Sequence, residues 1–207
     1  VIDKGLKMGV LGQDQYAFED LSLKDAVLIG NKRLYEAIKR KEYLYENGDL
    51  SDEQVNVELV ELEMICAEED PMYEYDVVIE KILEDLGFAS SIHNELMKTI
   101  TGGDKFKILL AQVLFPKPDI LLLDEPTNNL DLPTIAWLEE NLKRHEGTLV
   151  VISHDRHFLN SVCTHILDMD FGSVREFSGN YDDWYIASTL IAKQQEMERN
   201  KKLKEKE

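Results

Sequence analysis

The chain has 207 residues, 43% of them hydrophobic and 31% charged, with 41 acidic against 23 basic residues and a formal net charge of −18. That supports one substantial apolar core or two small ones, and it excludes a general coat of positive charge for holding nucleic acid. No run of 18 apolar residues occurs and no signal-peptide order opens the chain, so the sequence points to the cytoplasm rather than to a membrane or to export.

Lys7–Asp14 (KMGVLGQD) reads as a short strand entering a polar turn, because apolar residues and glycines cluster there without helical period. From about Ser22 to Ile100 the pattern is helical. Ala26–Tyr45 and Gln54–Ala67 place apolar residues at three- and four-residue spacing, and ENGDLSDEQ between them carries an Asn-Gly turn signal and a Ser51…Gln54 capping box. A helical hairpin is therefore expected over about residues 31–70. Pro71 breaks the pattern, and Tyr75–Phe88 is a third amphipathic helix ended by Gly87. Cys66 and Cys163 sit among apolar neighbours without metal-type spacing and read as reduced core thiols.

Charge is uneven along this region. From Leu44 to Asp85 fifteen acids face one base, Lys81. Asn31–Lys41 instead holds Lys32, Arg33, Lys39, Arg40 and Lys41 against one acid, which predicts a local basic patch able to bind phosphate backbone. The tail from Lys193 holds six bases against four acids.

After Thr101 helices and strands alternate: helix Lys105–Leu114, strand Ile120–Leu123, helix Thr134–Lys143, strand Thr148–Ile152, helix Arg156–Cys163 and strand Ile166–Met169. All-apolar strands in such alternation predict an α/β fold with a parallel sheet covered on both faces. A hairpin around Phe171–Gly172 leads into a polar helix of more than twenty residues.

In an open parallel sheet ligands bind beyond the carboxyl ends of the strands. Two strands deliver chemistry to that edge: ILLLDEPTNNLDLPT (Ile120–Thr134) ends its apolar run in Asp124 and Glu125, and TLVVISHD ends in Ser153–His154. An aspartate there suits Mg²⁺, and a neighbouring glutamate can orient and deprotonate a water. Read alone, the acid pair is better taken as capping the next turn, with His154 an ordinary strand-end residue. Gly102 and Gly103 open a helix upstream, where a phosphate can approach orphaned N–H groups.

Taken in order, these segments resemble the ATP-binding cassette superfamily. Ile100-Thr101-Gly102-Gly103-Asp104 resembles its signature, Leu121–Glu125 the end of its Walker B strand, Asn128-Asn129-Leu130-Asp131 its D-loop and His154 its switch histidine. Gln13 in VLGQDQ resembles the Q-loop glutamine, with Gln15 the other choice. The resemblance implies ATP and Mg²⁺ as cofactors. It makes Asp124 and Gln13 the Mg²⁺ residues, Glu125 the catalytic base and His154 the γ-phosphate contact. Thr101, Gly102, Gly103, Asp104 and Asp131 then belong to the interface at which two cassettes enclose nucleotide.

DEPTNNLD, SHDRHFLN and FSGNYDDWY are similar to the wording of the ABC-F group, and GQDQYAFED with ISHDRHFLNSVCTHILDMD to its YbiT-type branch. That likeness implies a partial P-loop NTPase fold in four parts: residues 1–21 with the Q-loop, a helical subdomain over 22–99 whose hairpin at about 31–70 is the group's arm, the α/β core at 100–185, and an inter-cassette linker helix at 186–207. It also implies a second cassette in the same parent chain, and the ribosome and tRNA as partners. The signature departs mildly, with Thr101 and Asp104 where serine and glutamate or glutamine are commoner. No G-x-x-x-x-G-K-[ST] occurs, so the chain reads as a piece of a longer ATPase, itself inactive. A transporter's ATP-binding subunit and a non-catalytic regulatory cassette are the alternative functions.

Overall fold

Strand β2 (Ile120–Asp124) lies between β1 (Met8–Val10) and β3 (Thr148–Ile152) in a three-stranded parallel sheet. This is a computed structural model, and it describes residues 5–12, 14, 16–128, 130–170 and 172–204. The two-residue period of β2 turns Leu121 and Leu123 into the core, where both are buried. Val10 pairs with Leu122 and Asp124 with Ile152, so parallel pairing brings the carboxyl ends of all three strands to one edge.

Helix α5 (Gly102–Leu114) is the wall between two cores. Ile108 and Ala111 face a helical cluster built from α1 (Leu23–Leu28), α2 (Lys32–Asn47) and α4 (Tyr75–Asp85). Phe106, Leu109, Leu110 and Val113 face the sheet, together with Leu138 of α6 (Leu132–Lys143) and Phe158 of α7 (Arg156–Val162). A helix with apolar residues on two faces is buried on both, and each fully buried leucine or phenylalanine contributes about 1.5–3 kcal/mol. Lys105, on the same helix, is buried too: its ammonium meets Glu19 Oε1 at 2.6 Å and lies 4.8 Å from the centre of the Tyr16 ring.

The structure differs from the sequence reading in several places. The single helix expected over Ala26–Tyr45 is two, α1 and α2, broken where Asn31 caps α2 through Leu34 N. Gly30 occupies the corner because the chain there runs against α5; a Cβ would lie 1.9 Å from the Gln112 carbonyl oxygen. Helix α3 (Glu53–Glu69) is capped by Asp52, which accepts from Gln54 N, while Ser51 bonds back to Asp49. The last strand leaves the parallel sheet: β4 (His165–Asp170) pairs antiparallel with β5 (Ser173–Ser178). Thr148–Ile152 and the helix ended near Gly87, whose φ is +91, are found as expected. Helix α8 (Tyr181–Lys204) starts where Asn180 receives Asp183 N, and Trp184 anchors it to Asp168 of β4. No helix among the described residues is long and apolar enough to cross a membrane.

The expected basic patch is also corrected. All five cations of α2 meet carboxylates: Lys32 pairs with Glu36, Arg33 with Glu68 and Glu69, Lys39 with Asp25 and Glu42, Arg40 with Glu58, and Lys41 with Glu63. Three of those cations, Arg33, Arg40 and Lys41, reach across to α3 and clasp the hairpin. The cations that read as a phosphate-binding cluster are thus engaged by carboxylates, and Arg33, Arg40 and Lys41 among them hold two helices together.

Candidate active site at the strand ends

Glu125 follows β2 with φ +47, in the left-handed region that costs a residue other than glycine roughly 1–2 kcal/mol. Pro126 disfavours the ordinary helical region for the residue before it. Two backbone bonds fix the turn, Glu125 N donating to Ile152 O at 2.7 Å and Asn128 N to Glu125 O at 3.2 Å. Strain of this kind concentrates where a side chain must be aimed. The Glu125 carboxylate is aimed across the strand ends at His154, whose Nε2 lies 3.5 Å from Oε1 and whose backbone N lies 3.4 Å from Oε2.

His154 itself is 99% exposed in its side chain, yet its position is fixed from both sides. Strand β3 precedes it, and Asp155 caps α7 by accepting from His157 N and Phe158 N. Phe158, wholly buried, pins that helix to the core. Asp124 ends β2 on the same edge, exposed. The structure thus brings Asp124, Glu125 and His154 together at one end of the sheet, while Gln13, like Gln15, lies outside the described residues.

A second cluster joins the signature-like segment to the D-loop-like one. Thr101 is the N-cap residue of α5, but its hydroxyl donates to Asp104 Oδ2 at 2.9 Å, which leaves the N–H groups around Gly102 and Gly103 without a side-chain cap. Asp131 caps α6 through Thr134 N at 2.9 Å and receives Lys107 Nζ at 2.9 Å; Lys107 also lies 3.6 Å from Asp104. These bonds, from Thr134 first and then Lys107, hold the Asp131 carboxyl at about 2. Sequence reasoning passed over Lys107. Its place three residues after Asp104, on the same helical face, is the signal that marks it. Asn129 lies outside the described residues.

Among the described residues no group of three or more His, Cys, Asp or Glu is arranged to hold a metal ion. Mg²⁺ takes one or two carboxylates and fills its remaining positions with waters and substrate phosphates. One strand-end aspartate therefore fits this ion alongside a bound nucleotide.

Comparison with known proteins gives the family and the fold. The ABC transporter family model matches residues 4–128. The uncharacterized ABC transporter ATP-binding protein YkpA of Bacillus subtilis is 45% identical over 201 residues, which cover 97% of this chain and 37% of that protein. The probable ATP-binding protein YbiT of Escherichia coli O157:H7 is 42% identical, over 91% of this chain and 35% of YbiT. The energy-dependent translational throttle protein EttA of Haemophilus influenzae is 33% identical, over 87% and 32%. Further relatives carry F-family names. The chain thus spans about a third of the length of these relatives. The dimeric ATP-binding cassette MJ0796 in a post-hydrolysis state with ADP and Pi shares the fold, with a TM-score of 0.52 at 19% identity over 83% of this chain and 62% of that one. With the family model covering more than half of its residues, the chain belongs to the ABC transporter family of ATP-binding cassettes, in its F group.

Proposed function

We propose that this chain is part of a cytoplasmic ABC-F ATPase that binds and hydrolyses ATP in order to act on the ribosome, with tRNA close by, during translation. The observation that carries the catalytic half is the strained Glu125 turn, which aims a carboxylate at His154 across the carboxyl ends of two parallel strands. Glu125 takes a proton from the attacking water and so raises its nucleophilicity. His154, held between β3 and the pinned α7, contacts the terminal phosphate. Asp124, with Gln13, would hold Mg²⁺, which neutralises phosphate charge when bound. Thr101–Asp104 and Asp131, tied by Lys107, form one edge that meets a second cassette of the same parent. The ribosomal half is supported by similarity to EttA, whose name describes a translational throttle. The helical hairpin is the arm, residues 186–207 begin the linker, and the 207-residue stretch without a phosphate loop is inactive alone.

The test is Glu125→Gln in the full-length parent. ATP binding should persist and single-site turnover should fall roughly 10²–10⁴-fold, the contribution of a positioned base, while the protein co-sediments with ribosomes in the presence of ATP. Unchanged turnover refutes the role of Glu125. Sedimentation with membranes in place of ribosomes refutes the partner.

A further inference from the structure

We infer that the outward face of α3 is a docking surface for a cationic protein segment that carries apolar side chains, and not for RNA. The inference names a partner chemistry for the hairpin and stands whether or not the parent acts on ribosomes.

Helix α3 has two apolar faces where a surface helix needs one. Leu62, Ile65 and Cys66 face the helical core. Val57, Val60 and Met64, at positions i, i+3 and i+7, form a second stripe that points away from it, and their exposures are 54%, 61% and 60%. At 1.5 Å per residue the stripe runs about 10 Å along the helix. Three exposed apolar side chains follow one another along one face, outside both core clusters among the described residues, a contiguous stripe rather than scattered surface residues.

Charge selects the occupant. Glu53, Glu61 and Glu68 interleave the stripe at helical spacing. Glu68 is engaged by Arg33, but Glu53 and Glu61 make no side-chain hydrogen bond or ion pair among the described residues. The five cations that could have offset this acidity lie on α2 and are already paired. A phosphate backbone approaching α3 meets like charge, which costs affinity and slows encounter. Lysines or arginines flanking apolar side chains meet both features at once: the acids steer and orient, and Val57, Val60 and Met64 give the contact its buried area.

The experiment titrates the full-length parent against a fluorescein-labelled amphipathic helix peptide of leucine and lysine, by anisotropy, and in parallel against a short labelled RNA hairpin. Val60→Ser with Met64→Ser should weaken peptide binding roughly tenfold, the scale of losing one good interface contact. Glu53→Lys with Glu61→Lys should weaken it comparably. Glu140→Lys with Glu146→Lys makes the same charge change elsewhere and should alter binding less than about twofold. All the substituted side chains face solvent, so unchanged thermal unfolding accompanies each variant. Peptide binding that ignores the serine variant, an equal loss in the Glu140 and Glu146 control, or RNA that binds this face in place of the peptide would each overturn the assignment.

Discussion

The strand-end region and the α2–α3 hairpin belong to one chain but are held by different forces. Around β2 and β3 the work is done by buried apolar side chains, Leu121, Leu123, Leu138 and Phe158, and by parallel backbone pairing. Helix α3, by contrast, contributes one fully buried residue, Cys66, and is clasped to α2 by Arg33, Arg40 and Lys41 on Glu68, Glu69, Glu58 and Glu63. Burial is insensitive to salt and nearly so to pH, whereas exposed ion pairs are weak and screened. The difference separates a strand end held by burial from a hairpin held largely by exposed ion pairs.

The largest expected effect tests the first half of that contrast. Phe158→Ala removes the side chain that pins α7 behind His154, and a phenylalanine-to-alanine change in a closed core costs about 3–5 kcal/mol. Urea denaturation of the parent, followed by a probe in this region, should show a loss of that size. A loss below about 1 kcal/mol would mean that the segment carrying His154 is held by something other than burial.

Much of this contrast was legible in the residues, and the exceptions share a cause. All-apolar strands running into Asp124 and His154 marked out the parallel sheet and the end of it at which those residues meet, because side-chain period and strand direction are local properties. The corner at Gly30 was not legible, since it arises from close approach of Gln112, far away in sequence. Nor was the departure of β4, whose partner is chosen by what lies beside it rather than by its own pattern. The α2 cations misled for the same reason. Lys32–Lys41 reads as a patch only until the helix that packs against it, with its own acids, is in place.

An intermediate effect is expected at the joint between the two regions. Glu69, at the end of α3, has a side chain only 9% exposed and accepts from Lys7 beside β1, from the α2 cap Asn31 and from Arg33. Those donors, Lys7 foremost, hold its carboxyl at about 2, below the ordinary 4.5. The folded value is the lower one, so this stabilisation is complete above about 4.5 and is lost as pH falls toward 2. Glu69→Gln should cost about 1.5–3 kcal/mol at neutral pH, the worth of hydrogen bonds to a charged group. It should also flatten the dependence of stability on pH within that acidic window. A variant that keeps the full acid dependence would place the titrating group elsewhere and dissolve the idea of a polar joint.

The smallest effect should come from a single clasp within the hairpin. Lys41 and Glu63 pair across α2 and α3, and the Tyr73 hydroxyl donates to the same carboxylate at 2.8 Å. These donors, Lys41 first, lower the Glu63 carboxyl below its usual range. Glu63 is half exposed and both partners have long side chains to immobilise, so water and lost rotamer freedom offset most of the attraction. A double-mutant cycle with Lys41→Met and Glu63→Gln should give a coupling of about 0.2–1 kcal/mol that shrinks further in molar salt. The hairpin then owes its shape to several such pairs acting together with the shallow apolar seam of Leu62, Ile65 and Cys66. A coupling near the Phe158 cost, or one indifferent to salt, would show that the clasp behaves as buried structure, and the division between an edge held by burial and a hairpin held by ion pairs would have to be given up.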